Sequence, residues 1–124
     1  MFDHVGLNVR DYRASKDFYE RALAPLAWTV SMEFEQHKAV AFGPTDKPEL
    51  WIVEREPFGT GTHVALPVDD RALVDAFHAA ALEAGGRDNG PPGLREHYHP
   101  TYYAAFVLDP DGNNVEVVCH TATS

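Results

Sequence analysis

The chain repeats itself. Residues 4–23, HVGLNVRDYRASKDFYERAL, return at 63–82 as HVALPVDDRALVDAFHAAAL. At a constant offset of 59, eight of the twenty positions are identical: His4/His63, Val5/Val64, Leu7/Leu66, Val9/Val68, Asp11/Asp70, Phe18/Phe77, Ala22/Ala81 and Leu23/Leu82. A repeat constrains architecture before any single motif does, because each copy is one supersecondary unit. Each copy opens on a histidine. Two equivalent elements, each offering an imidazole, suggest a site between two halves.

Both copies read as a strand followed by a helix. Val5, Leu7 and Val9 alternate with His4, Gly6 and Asn8, the period-2 pattern of a half-buried strand. Asp11 stands where an N-cap would precede a helix over about 13–25, with Ala14, Phe18 and Ala22 on its apolar stripe and Pro25 near its stop. In the second copy Val64, Leu66 and Val68 oppose His63, Ala65 and Pro67. Asp69 or Asp70 caps a helix over about 70–84, whose inner face carries Leu73, Phe77 and Ala81; Gly85-Gly86 ends it. Pro67 has no N–H, so its strand needs a free edge.

After the first helix, 28–35, 37–43 and 49–56 read as short strands, and PFGTGT (57–62) as the linker between halves. After the second, RDNGPPGLREHYHP (87–100) reads as a long loop with two histidines. A hairpin, 102–108 and 113–120 about the turn DPDG, closes the chain. The expected fold is α+β: two tandem βαβββ modules, about 1–57 and 61–120, in one domain over 1–124. They form a cup-shaped, partly closed sheet with helices outside.

Size and charge narrow the partners. A chain of 124 residues can bury a real core. The net charge is −9 with scattered basic residues, which argues against nucleic acid. No apolar run approaches the roughly 20 residues that span a bilayer. The start, MFDHVGLNV, lacks a secretory pattern, and Cys119 is the single cysteine; both fit an expected cytoplasmic location.

The chemistry lies on the strand faces away from the helices. If the valines and leucines face the helices, His4 and His63 point the other way, each followed two residues later by a small residue, Gly6 or Ala65. In the last strand Val115, Val117 and Cys119 alternate with Glu116, Val118 and His120, so Glu116 shares that face. Two imidazoles and a carboxylate suit a divalent ion such as Zn, Ni, Fe or Mn, with positions left for water or substrate. A buried carboxylate needs a partner. A metal is one; an arginine salt bridge is the rival.

These residues resemble the vicinal oxygen chelate superfamily, which includes glyoxalase I, fosfomycin-resistance transferases, bleomycin-resistance proteins, extradiol dioxygenases and methylmalonyl-CoA epimerase. The marks are DHVGLNVRDYRASKDFYERAL, GTHVALPVDD and VLDPDGNNVEVV, in that order along nearly the whole chain. The resemblance implies metal ligands at His4, His63 and Glu116, paired βαβββ modules and a homodimer. Glyoxalase I-like members often add a fourth ligand, usually Glu, in the last strand of the first module. Aligning the two hairpins puts Trp51 there. Glu49 is in phase with Trp51 and Glu54 is not, and the site reads as a three-ligand one. A lysine- and serine-bearing anion loop of the fosfomycin transferases is not recognisable in 87–100.

Around these ligands, Tyr102 falls on the cup face by the family's phase and could orient substrate or act as an acid; packing alone is the competing role. His97 and His99 lie on the loop before it, and imidazole can serve as acid or base near neutral pH. Trp51, Tyr102 and Phe106 are the expected substrate-lining residues. His37 and His78 read as surface residues, His120 as peripheral and Cys119 as core. The expected function is that of a metal-dependent enzyme acting on a small oxygen-rich or electrophilic molecule, as a lyase or isomerase, thiol transferase or dioxygenase. The alternative is a protein that binds and sequesters a drug-like aromatic molecule.

Overall fold

The computed structural model describes residues 2–121. The first module runs β1 (Val5–Val9), α1 (Tyr12–Leu23), β2 (Thr29–Phe34), β3 (Ala39–Gly43) and β4 (Leu50–Glu54). The second runs β5 (His63–Val68), α2 (Arg71–Glu83), β6 (Arg87–Leu94), β7 (Tyr103–Leu108) and β8 (Asn114–Cys119). Each module forms its own four-stranded sheet, in the orders β1-β4-β3-β2 and β5-β8-β7-β6. In both, the first strand pairs parallel with the last, and the remaining pairs are antiparallel. The sequence repeat is therefore a repeat of topology.

Local chemistry sets the helix starts. Asp11 accepts the Ala14 N–H at 3.1 Å, and Asp70 accepts the Ala72 N–H at 2.8 Å. Each satisfies an amide that the first turn leaves free. α1 buries Phe18, Tyr19, Ala22 and Leu23. α2 buries Val74, Phe77 and Ala81; Val74 takes the deepest place expected of Leu73, which is half-buried. Pro25 sits in a 3-10 turn, Ala24–Leu26, that continues α1.

One apolar core joins the modules. Leu7, Val9, Phe18 and Ile52 from the first belong to the same cluster as Phe77, Val107, Val115 and Cys119 from the second. α1 packs directly on α2, and the Arg21 guanidinium caps the Glu83 carbonyl at 2.9 Å. The opposite face of each sheet lies outside this cluster. There β1 presents Gly6 and Asn8, and β5 presents His63, Ala65 and Pro67, all but Asn8 exposed. β5 pairs on one side only, so Pro67 costs the sheet no internal hydrogen bond.

The segment 87–100 differs from the expected loop. Its first eight residues form β6, paired with β7 through two register shifts, between Asp88 and Gly90 and between Gly90 and Gly93. Pro91 and Pro92 are tolerated because β6 is an edge strand broken by bulges. Only the residues from Arg95 onward run as a loop into β7.

Candidate functional site

The open face of the second module gathers three of the expected residues. Glu116, on β8, is 2% exposed. Its Oε1 accepts from His63 Nε2 at 2.8 Å, and its Oε2 accepts from the Tyr102 hydroxyl. His63, at the start of edge strand β5, has a half-exposed side chain. The rival for the carboxylate, an arginine, is absent from its partners among the described residues.

The sheet register explains how these groups meet. Ala65 and Phe106 both lie opposite Glu116, so all three project to one face. Ala65 adds little bulk beside the imidazole two residues earlier. Ala104 and Val118 pair on the same face and are buried. Burial, then the bond to Glu116 and the charge of its carboxylate, push the Tyr102 phenol well above the usual tyrosine range. The Tyr102 hydroxyl is therefore held as a donor to Glu116.

Aromatic rings surround this cluster. The Tyr102 ring meets Tyr98 and His120 edge-on at 5.1 and 5.2 Å, and His63 lies 6.3 Å from Phe106. His97 packs on Tyr98 at 4.1 Å. His99 accepts the Thr101 N–H at Nδ1, at 3.3 Å, so that nitrogen caps its own loop. Neither loop histidine hydrogen-bonds to His63 or Glu116. His37 is exposed; His78 is mostly covered and pairs with Asp88 at 3.0 Å.

His4 is not brought to this cluster. It is exposed and bonded through Nδ1 to Asp3 at 2.8 Å. Among the described residues no three His, Cys, Asp or Glu side chains converge on one point. His4 and His63 do line a common cleft of about 920 Å³ between the N-terminal segment and β5. Trp28, Leu50, Val64 and Leu66 give that cleft apolar walls.

The first module shows what takes the place of Glu116 in its own sheet. Gly6 lies opposite Trp51 as Ala65 lies opposite Glu116, so Trp51 is the structural counterpart of the glutamate. Its indole stacks on half-exposed Phe34, with centroids 6.0 Å and planes 5° apart. Glu54 is occupied elsewhere: it accepts the Tyr12 N–H at 2.9 Å and pairs with Lys38 at 3.0 Å. Glu49 lends its backbone carbonyl to the Val5 N–H at 2.8 Å and lines the cleft beside His4.

Arg95 also stands on this face, with no mark in the sequence pattern. Its guanidinium lies over the Phe106 ring, 5.3 Å from the centroid, on the face that carries Glu116. Position in a glycine- and proline-rich stretch gave no signal, because the placement depends on the folding of β6.

These features define a duplicated βαβββ protein with a buried carboxylate bonded to a half-exposed imidazole on one open face. The family model described as Glyoxalase/Bleomycin resistance protein/Dioxygenase superfamily matches residues 1–117. The chain belongs to that superfamily. It is 31% identical to lactoylglutathione lyase of Escherichia coli O157:H7, over 93% of this chain and 89% of the relative, and equally to that of Shigella flexneri. Among solved structures, a glyoxalase/bleomycin resistance protein from Albidiferax ferrireducens T118 superposes with a TM-score of 0.80 at 27% identity, over 96% of this chain and 98% of the other. A mutant of glyoxalase I from Zea mays shares the fold at a TM-score of 0.71 and 24% identity; the match covers 96% of this chain and 46% of that one.

Proposed function

We propose that the chain is a metal-dependent vicinal oxygen chelate enzyme acting on a small oxygen-rich or electrophilic molecule. His63 and Glu116 of one copy and His4 of a second copy would be the protein ligands. The observation that carries this reading is the Glu116 carboxylate, 2% exposed between Val115 and Val117 on β8 and held 2.8 Å from an imidazole. Burying a charge in such a place is costly unless a positive partner compensates it.

The residues fit a divalent first-row ion. Ligands bound at about 2.1 Å stand roughly 3 Å apart when they are neighbours, which is close to the His63–Glu116 separation. The nitrogen and oxygen donors suit Zn, Ni, Fe or Mn alike. When bound, such an ion supplies Lewis acidity toward adjacent oxygens of the substrate. Everything else falls to the side chains. Tyr102 holds Glu116 Oε2 and so turns Oε1 toward His63; on swinging off the carboxylate its one O–H can donate to a substrate oxygen instead. Phe106 and the buried Ala104–Val118 pair exclude water from one side. His97 and His99 remain rim residues.

A second copy is supported by the edges. β1 and β5 are both edge strands, and a largely apolar cleft lies between them. A dimer that covers it would bring one copy's His4 toward the other's His63, and every site would need both copies. The lactoylglutathione lyase relatives favour a lyase or isomerase within this class. Trp51 stands where glyoxalase I-like members often place a fourth ligand, so the reading is of the class and not of that lyase.

Elemental analysis of untagged protein tests the proposal. About one transition-metal ion per site, lost in Glu116→Gln and in His63→Ala, is expected. Wild type that takes up no ion on reconstitution would overturn it. The Phe34–Trp51 stack favours a second reading in that event: sequestration of a planar aromatic molecule, read as quenching of tryptophan fluorescence without product.

A further inference from the structure

We propose that Arg95 anchors an anionic group, a carboxylate or phosphoryl oxygen, on the small molecule that enters the open face of the second module. The inference rests on the reading above only in taking that face as the one a ligand enters.

The guanidinium is fixed in place before any ligand arrives. Nη1 donates to the Gly93 carbonyl at 2.9 Å and Nη2 to the Pro91 carbonyl at 2.7 Å. The Arg95 N–H also donates to the Tyr102 carbonyl at 2.7 Å, which ties its backbone to the strand entering the site. Beneath it lies the Phe106 ring. An arginine carries five N–H donors. With two used, three have no protein acceptor among the described residues.

Its charge also has no direct ion-pair partner; Asp88 on β6 feels it only at longer range. No carboxylate of the described residues pairs with Arg95, in a chain with 19 acidic and 10 basic residues. The one carboxylate buried on this face, Glu116, is held by His63 and Tyr102 instead. A planar fork with free donors recognises carboxylate and phosphoryl groups in two-point fashion.

The backbone of β6 gives way to the guanidinium. A Cβ on Gly93 would approach Nη1 to 3.2 Å, and one on Gly90 would approach Nη2 to 3.1 Å and Phe106 Cδ1 to 2.9 Å. Gly90 further holds a φ of +154°. The glycines and bulges that hid this strand in the sequence are what makes room for the arginine. From β6 to β8 is two strand spacings, about 10 Å. The ligand therefore carries its anion at one end and its reacting oxygens some bonds away.

The test uses protein stripped with a chelator, so that no ion can hold the probe. Benzoate and benzyl alcohol share a ring and differ in charge; their dissociation constants are measured by ligand-observed NMR for wild type, Arg95→Gln and Arg95→Lys. Wild type should prefer benzoate. Arg95→Gln should weaken benzoate by about 10-fold or more and leave benzyl alcohol unchanged, and Arg95→Lys should recover part of the loss. A benzoate-to-alcohol ratio unchanged by Arg95→Gln would overturn the proposal, even if that variant melts lower, because capping two carbonyls would then be the whole role of the side chain. Equal weakening of both probes, or no preference in wild type, would overturn it too. Metal uptake by the wild type is scored separately. Protein without metal but with Arg95-dependent selectivity loses the enzyme reading and keeps this one; metal-binding protein without that selectivity does the reverse.

Discussion

Tyr19 donates a 2.6 Å hydrogen bond to Asp109, 90 residues further along the chain, and both side chains are buried. The same carboxylate accepts the Asn113 amide at 2.9 Å and the Asp111 and Asn113 N–H groups at 2.8 Å. One carboxylate thus organises the β7–β8 turn and fastens it to α1 of the other module. Glu116 begins three residues after that turn. Burial, followed by the Asp109 charge, drives the Tyr19 phenol upward, so the tyrosine stays a donor. Tyr19→Phe should cost about 1–3 kcal/mol in urea unfolding, and Asp109→Ala more, because it orphans several donors. A neutral Tyr19→Phe would mean the turn stands without α1.

Asp111 gives a pH dependence with a definite sign. Burial raises its carboxyl above the usual range, helped by the nearby Asp109 charge and opposed by the Arg10 N–H that donates to it at 3.0 Å. Its folded pKa exceeds its unfolded one. Ionisation therefore favours the unfolded chain first, and stability falls as pH rises through that window. Asp111→Asn keeps an acceptor for Arg10 and removes the charge. The variant should melt higher than wild type at neutral pH, with the gap closing below about pH 4. Thermal melts across that range decide it; a gap independent of pH would show that charge is not the cause.

Gly86 sits where the modules press together. A Cβ there would lie 2.6 Å from Val107 Cγ1, 2.7 Å from Phe18 Cε1 and 2.9 Å from the Ala81 carbonyl oxygen. None of the three is the far end of a flexible side chain. Gly86→Ala should lower stability by about 1–3 kcal/mol through overpacking, seen as a lower urea midpoint. An unchanged midpoint would show that α1 can move away from β7.

The proposed shared site makes a mixing experiment decisive. His4→Ala and Glu116→Gln homodimers should each lack the complete ligand set. Random pairing makes about half of the dimers mixed, each with one intact site, so metal content should rise on co-refolding toward about a quarter of wild type. Ligands drawn from a single chain predict no recovery.

Much of the fold was legible because the repeat marks its own boundaries. Asp11 and Asp70 cap the helices as their positions suggested, and the alternation in 5–9 and 63–68 put the right residues inward. Strand phase put His63 and Glu116 on one face, and the family resemblance added Tyr102, which bonds to Glu116. β6 was hidden because its residues disfavour strand; an edge position and two bulges accept them, and pairing partners are not written in the segment itself. The separation of His4 from Glu116 was hidden for a related reason. Phase fixes which way a side chain points, whereas how two sheets sit relative to each other depends on the packing of α1 on α2.

Trp51 in the place of Glu116 gives the two halves unequal tolerance to change. A duplicated module begins with two like half-sites, and here only one carries a buried charge. The hairpin of the second module is bound by that charge: each neighbour of Glu116 must keep its donors or leave a carboxylate stranded. At the matching place in the first module, Trp51 answers to shape, since an indole needs surface and not a counterion. Variation aimed at new ligands is best directed to Phe34 and Trp51 on the open face of the first module, where a poor choice weakens a contact, and away from the neighbours of Glu116, where it strands a charge.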